Sequence, residues 1–537
     1  MLSSAKLMPN PYLQKCETPE SAKKGQSHIT ISTEGYRYCF GGLGAAANSF
    51  CKIFTERGCR VVTVLPLVEI MEEKEAKKSI THGYLLKSGE QILVERCSDM
   101  HGDVYRLQPT NKDKKYFEHH ENPYGIEPSH RDTLMNDFAF KEGQNIDPND
   151  PDLKAAAAIS MKLCAFNRIA PQFVNEVILP TMQEENVYVH DHYFGGSLSA
   201  IETGDSIKKI NWVHGLIPHM GFSDCMIEKD PVYTTEGYQA MTREEIESLP
   251  EKDKPIRERA IKHSHHIITV SDFARKALME EHDLFKKCLP IHGKVISSIK
   301  SYSDLAQFNL SRIAKHYGVF TEGMTPSEIK SAFKAKFFAR SLPVLPPERE
   351  DIDEYIDKPI LLFMGRPCFE KGTQHVLNMI RKLDCLFFII SRGTSETQFI
   401  KEVIKIHKER NNIVLLTEDQ RHKQILMAIA NIGVIPSLSE TYGLITGECG
   451  SMGMHVITSD IGGLTESSQD CGKCRTIVHS DAKYGEYSEV TNRKFLETVG
   501  AKLTSNEVFD HSHITEHTQE FHSPEQYAQS IEKVLMS

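Results

Sequence analysis

The sequence has no excess of positive charge. Lys plus Arg number 63 against 73 Asp plus Glu, a formal net charge of −10, which argues against a sequence-independent grip on nucleic-acid backbone or an anionic membrane. Any phosphate must therefore be bound locally. Long apolar runs are also missing: runs such as residues 360–364 and 385–390 fall far short of the roughly 20 residues a membrane helix needs. Residues 1–24 contain no continuous apolar core of the Sec kind, so the expectation is a soluble, cytoplasmic protein. No disulfide framework is evident. The 13 Cys are odd in number and sit inside apolar runs such as 49–53 and 385–390, as buried free thiols of a reducing compartment do. There is no internal repeat or low-complexity tract. Neither G-x-x-x-x-G-K-[ST] nor G-x-S-x-G occurs, which disfavours a P-loop NTPase and an α/β-hydrolase.

What is present is a globular composition, 40% hydrophobic and 25% charged over 537 residues, enough for two to four domains at about 150 residues each. The 25 His let net charge rise between pH 7 and pH 5 wherever they are exposed. Along the chain, a glycine turn (Gly41, Gly42, Gly44) opens an apolar-periodic stretch to Glu56, and Gly58 precedes the run from Val61 to Leu65. This predicts turn, helix and strand. Residues 71–78 read as a solvated helix face. From about 96 to 152 the texture is polar and rich in breakers, as in an insertion on a scaffold. Residues 153–174 read as a long helix. Strands then end on polar groups: 187–190 at His190-Asp191-His192, 209–213 at His214, and 267–270 at Ser271.

Residues 342–358, with Pro343, Pro346, Pro347 and an acidic run, predict an extended connection between domains. Beyond it strand and helix alternate regularly from Ile360 to Thr458, the pattern of a doubly wound parallel sheet. Ligands of such sheets sit beyond the carboxyl ends of the strands. Two motifs fall there. In Gly365-Arg366-Pro367-Cys368-Phe369-Glu370-Lys371-Gly372, a bidentate Arg and a point-charge Lys precede a helix N-terminus, a set suited to a diphosphate; a charged surface loop is the plain alternative. In Pro436 to Glu448, Glu440 and Glu448 flank a helix start. The amides around Tyr442, Gly443 and Leu444 suit an anion, and Glu448 can accept two ribose hydroxyl protons. For either Glu alone, ordinary helix-start electrostatics suffices.

Together these residues resemble the C-terminal domain of GT-B-fold retaining glycosyltransferases, the class that includes glycogen and starch synthases. Arg366 and Lys371 look like the family's diphosphate-binding pair, Glu440 to Glu448 like its E-x7-E motif, and Gly462-Gly463-Leu464 like its following Gly-Gly-Leu turn. Further forward, Gly41-Gly42-Leu43-Gly44 is similar to the N-terminal glycine loop of those synthases. His190-Asp191-His192-Tyr193 resembles their His-Ala-His-Asp-Trp segment, Val213-His214-Gly215 their Val-His-Asn, and Thr269-Val270-Ser271 their Thr-Val-Ser. Tyr124-Gly125 and Arg131-Asp132 occupy the place of their N-terminal insertion. The resemblance runs from about residue 35 to about 480. It departs at Cys39, where the family has a lysine linked to donor binding, and at Tyr193, where it has Trp.

The resemblance implies two Rossmann-like domains facing each other across a deep cleft. Residues 1–341 form the acceptor-side domain, 342–358 the linker, 359–480 the nucleotide-sugar domain, and 481–537 a C-terminal segment whose helix, 524–536, packs back on the first domain. It implies metal-independent, retaining transfer of a hexose, glucose first, from a UDP-, ADP- or GDP-sugar to a glycan or other hydroxyl acceptor, with no resident cofactor. His192, Arg366, Lys371 and Glu440 are then the catalytic candidates. Gly41, Gly42, Gly44, Tyr442, Gly443, Leu444 and Glu448 are donor-side candidates, and His190 and His214 line the acceptor side. The Cys39 departure leaves room for a protein, lipid or small-molecule acceptor; a non-catalytic nucleotide-sugar or glycan binder is the remaining alternative. Cys471/Cys474, the groups His263/His265/His266 and His511/His513/His517, and Asp351-Ile352-Asp353 lack a complete ligand framework and read as ordinary residues.

Overall fold

The computed structural model describes residues 26–33, 42–67, 80–99, 102–117, 162, 165–182, 186–192, 196–215, 242–250, 254, 256–302, 305–342, 355–391, 398–410, 412–416, 420–472, 474–504 and 523–537. The run 71–78, the insertion beyond 117, half of the predicted 153–174 helix, Asp351–Asp353 and His511, His513 and His517 lie outside them. The chain forms two compact units. The first takes the described residues up to Val270, Arg275–Ile299 and Ser530–Ser537; the second takes Ser271–Ala274 and Lys300–Gln529.

The first unit is built on β1 (Gln26–Ile31), β2 (Arg60–Pro66), β3 (Ile80–Leu85), β4 (Gln91–Asp99), β5 (Gly102–Pro109), β6 (Asn186–Asp191), β7 (Ile207–Val213), β8 (His266–Thr269) and β9 (Ile296–Ser298). They form one sheet in the order β3-β4-β5-β2-β1-β6-β7-β8-β9. All neighbours from β5 to β9 pair parallel, and β3 and β4 add an antiparallel edge. Strands β1 and β2 are buried at every position after the first although they carry Ser27, His28, Thr30 and Thr63, because both faces of a parallel sheet are covered. Helix α1 (Gly42–Glu56) carries Phe50 and Phe54, both fully buried.

One expectation is corrected here. Residues 96–99 and 102–109 are not loop-like but belong to β4 and β5. Their polar texture comes from cross-strand pairing of charges, which stabilises opposed positions in a ladder: Glu95 faces Arg106 and forms an ion pair with it, and Arg96 Nη2 lies 3.4 Å from Asp103. Arg168 ties the helical residues 165–173 to the turn at Lys112–Tyr116 through Asp113, at 2.7 Å. Arg57 and Glu532 pair at 3.0 Å.

The second unit is a six-stranded parallel sheet. Its strands are β10 (Ile360–Met364), β11 (Leu386–Ile390), β12 (Ile413–Leu416), β13 (Ile432–Ile435), β14 (His455–Ser459) and β15 (Arg475–Val478), in the order β12-β11-β10-β13-β14-β15. Alternation divides each strand between two cores. Ile360, Leu362, Leu386 and Phe388 enter one core, and Leu361, Phe363, Phe387 and Ile389 the other. The first core is closed by α2 (Pro326–Phe338), which contributes Ile329, Phe333 and Phe337. The second is closed by α3 (Thr373–Lys382) and α4 (Gln398–Arg410), with Val376 and Val403. The compact unit thus begins at Lys300 rather than after a 342–358 connection, because the apolar face of α2 is buried against β10 and β11. Residues 343–354 lie outside the described set.

Candidate functional site

In the second unit, β10 lies beside both β11 and β13, so the chain reverses its winding direction between β10 and β13. A crevice at the carboxyl ends of the strands is expected at that switch point. The loop leaving β10 is Gly365–Gly372 and the loop leaving β13 begins at Pro436. Both sequence-predicted motifs are therefore brought to one place.

The two loops touch along their backbones. Leu438 N–H and Ser439 N–H both donate to Glu370 O, at 2.8 and 3.3 Å. Gly372 has φ 67°, and a Cβ there would lie 1.9 Å from Pro436 O, so only glycine permits this approach. Lys371 Nζ donates to Glu440 Oε2, an ion pair between residues 69 apart in sequence. Arg366 lies at the surface with Nη2 3.2 Å from Glu370 Oε2, both side chains more than half exposed. The Gly462-Gly463 turn backs the second loop, Gly463 N–H donating to Glu440 O at 2.9 Å.

Helix α5 (Gln420–Ile429) and helix α6 (Leu444–Ser451) complete this region. Gly443 precedes α6 at φ 91°, and the first-turn amides of α6 have no intrahelical acceptor. Tyr442 and Leu444 are placed here; Tyr442 is buried, Leu444 half-buried. Glu448 is buried within α6, and its Oε2 accepts from Lys423 Nζ on α5 at 2.7 Å. Lys423 also stands 4.7 Å above the Phe308 ring. Ser271 Oγ donates to Thr441 O at 2.5 Å, so the predicted Thr-Val-Ser element supports the same loop. Neither Lys423 nor Tyr484 was singled out by sequence reasoning. Burial pushes the Tyr484 hydroxyl up to about 12, beside Ser439 and Glu440. No local signal marks either residue, since each comes from a different element.

In the first unit Gly42 and Gly44 form the start of α1; Gly41, Cys39 and Tyr193 lie outside the described residues. His190 is fully buried in β6, and His192 follows that strand, also buried. His214 follows β7. The single tryptophan, Trp212, joins them, with His28 from β1 (neither was singled out from the sequence). Trp212 Nε1–H donates to His190 Nδ1 at 3.1 Å, and His190 Nε2 lies 3.0 Å from His28 Nδ1. An indole N–H only donates, so the neutral His190 carries its proton on Nε2 and passes it towards His28.

His192 Nδ1 lies 3.1 Å from His214 Nε2, and the His192 ring stacks on Trp212 at 5.1 Å and 8°. His192 Nε2 is buried with no hydrogen-bond partner among the described residues. Burial holds all four imidazoles neutral at pH 7. It lowers His28 to about 3 and His214 to about 4, and it drives His190 and His192 well below the ordinary value, with neighbouring histidines adding to it.

Among the described residues no group of three His, Cys, Asp or Glu is gathered to hold a metal, and Cys471 and Cys474 are free thiols. Nor is any described helix long and apolar enough to cross a membrane.

Comparison with known proteins agrees with this layout. The chain resembles the catalytic domain of starch synthase IV from Arabidopsis thaliana bound to ADP and acarbose, with TM-score 0.62 and 15% identity over 96% of this chain and 100% of that one. It also resembles sucrose-phosphate synthase from Thermosynechococcus elongatus, with TM-score 0.53 and 12% identity over 95% and 98% of the two chains. The fold is therefore that of the GT-B glycosyltransferases. Within it, residues 346–484, which fall in the second unit, match the family model for glycosyl transferases group 1. The chain is 27% identical over 143 residues to alpha-maltose-1-phosphate synthase of Mycolicibacterium smegmatis, which is 25% of this chain and 36% of that protein. It is 26% identical over 130 residues to alpha-D-kanosaminyltransferase of Streptomyces kanamyceticus, 23% of this chain and 32% of that protein. The chain thus spans about a third of the length of these curated relatives.

Proposed function

We propose that the protein is a retaining, metal-independent glycosyltransferase that moves a hexose, glucose first, from a nucleoside-diphosphate sugar to a glycan acceptor, in the manner of glycogen and starch synthases. The observation that carries this reading is the meeting of Lys371 and Glu440 at the switch point of the second sheet. Breaking a glycosyl–phosphate bond builds positive charge on the anomeric carbon and negative charge on the departing diphosphate. Lys371, Arg366 and the first-turn amides of α6 supply preorganised positive ends for that charge, each worth on the order of 3 kcal/mol when well placed.

A bound diphosphate takes Lys371 from its carboxylate partner, which leaves Glu440 to accept hydroxyl protons of the donor sugar. Arg366 exchanges Glu370 for a phosphate in the same way. Glu448 accepts the ribose hydroxyls. Gly41, Gly42 and Gly44 are assigned to the donor side. By family resemblance His192 contacts the transferred sugar, and its buried, unpartnered Nε2 is the atom suited to a hydroxyl. His190 and His214 hold that ring in place. No cofactor is needed, because fixed cations neutralise the leaving group.

Cys39, standing where the family has lysine, favours a second reading with the same donor chemistry and a protein, lipid or small-molecule acceptor. Calorimetry with UDP-, ADP- and GDP-glucose tests the donor. One of them should bind, and Lys371→Ala and Glu448→Ala should each abolish turnover. Unchanged turnover in both variants overturns the assignment, and no binding to any of the three favours a non-enzyme. Radiolabelled donor given with glucan or with cell lysate then separates the acceptor classes.

A further inference from the structure

The carboxylate assigned to the ribose is not an isolated group. Glu448 is buried in α6, and a buried carboxylate without a partner either protonates or turns towards solvent. Lys423, from α5, meets it at 2.7 Å with its own side chain 19% exposed. The ammonium is held from the other side by the buried face of Phe308, at 4.7 Å, a cation–π contact that strengthens as water is removed. Phe308 is tied in turn to the helix that carries Glu448, since Ser451 Oγ donates to Phe308 O at 3.2 Å. Phe308, Lys423, Glu448 and Ser451 therefore close a ring of contacts through three separate elements.

We infer that Lys423 is a positioning residue for nucleotide recognition: through Glu448 Oε2 it holds that carboxylate in one rotamer, presented to the two hydroxyls of a ribose. A carboxylate has four lone-pair sites, and the charge-assisted bond to Lys423 takes one of them. This inference rests on the ribose role proposed for Glu448. It adds that the discrimination of ribose is made by a Lys–Glu pair and not by the glutamate alone.

A purely structural pair would join α5 to α6 and affect stability alone, so ribose discrimination is the quantity to measure. UDP, ADP and GDP are each titrated against the full-length protein beside their 2′,3′-dideoxy counterparts. In the wild type the nucleotide that binds should be preferred over its dideoxy form by about tenfold or more, the worth of hydrogen bonds to a charged acceptor. Lys423→Met should bring that ratio to within about twofold while leaving dideoxynucleotide affinity unchanged, which also shows that the variant is folded. Lys423→Arg, which can still stack on Phe308 and reach Glu448, should restore it. If Lys423→Met lowers the melting temperature but keeps the full ratio, or weakens both nucleotide forms equally, the inference is overturned. A wild type without ribose preference, or a Glu448→Gln variant that keeps it, would instead bring down the ribose role of Glu448. Failure of all three nucleotides to bind would remove the nucleotide reading and this inference with it.

Discussion

Acidification from pH 7 to pH 5 should destabilise the first unit by several kcal/mol, through the histidines around Trp212. His28 and His214 are neutral in the folded state, lowered by burial to about 3 and about 4, whereas an unfolded histidine titrates near 6.5. Below that value the unfolded chain binds protons that the folded chain does not, so stability falls as pH falls. The window runs from about 6.5 down to about 4 for His214 and down to about 3 for His28. At 1.36 kcal/mol per pH unit, and allowing for partial protonation at the top of the window, each contributes about 2 kcal/mol of loss by pH 5. The two together give about 4 kcal/mol.

His190 and His192 act in the same direction, each lowered by burial and by neighbouring imidazoles; Glu532 opposes the effect at His28. Against a total stability of roughly 5–15 kcal/mol for a domain, this is a large share of what holds the unit folded. The only tryptophan lies inside the cluster and is buried, so its fluorescence in urea titrations at pH 7, 6 and 5 reports this unit. His214→Phe should make the pH dependence shallower by about one proton. A stability change below about 1 kcal/mol between pH 7 and pH 5 would refute the reasoning.

Two further outcomes follow from packing. Gly372→Ala puts a methyl group 1.9 Å from Pro436 O at a left-handed φ, so the β10 and β13 loops must separate; nucleotide affinity should fall by about tenfold or more, and wild-type affinity in calorimetry would contradict the loop contact. Phe333→Ala removes a fully buried ring from the core shared with Ile360 and Leu362, costing about 3–5 kcal/mol. In scanning calorimetry that loss should appear in the transition that bound nucleotide stabilises, and a loss confined to the transition seen by Trp212 would contradict the placement of α2 in the second unit.

The second sheet was legible because parallel strands covered on both faces leave continuous apolar runs, such as Ile360–Met364, and polar loops follow each strand end. Its switch-point motifs were legible for the same reason: Arg366, Lys371, Glu440 and Glu448 stand at set distances from strand ends. Strands β4 and β5 were not. Their ion pairs, Glu95 with Arg106 and Arg96 with Asp103, look like solvated polarity until the two strands are set side by side. Helix α2 was likewise assigned to the first domain because a proline-rich stretch follows it, although its phenylalanines are buried against strands beyond that stretch.

Amino-acid order alone determined the strand–helix alternation and which residues lie at the carboxyl ends of the strands, since both depend on local periodicity and turn chemistry. Tertiary structure alone decided the partners. Lys371 meets Glu440 and Lys423 meets Glu448 across 69 and 25 residues of sequence, and Trp212, His190 and His28 form a hydrogen-bonded chain across three strands. A local pattern can set the direction of a side chain, but the charge or hydrogen bond it meets is set by which strands lie side by side, and that depends on the burial of whole faces.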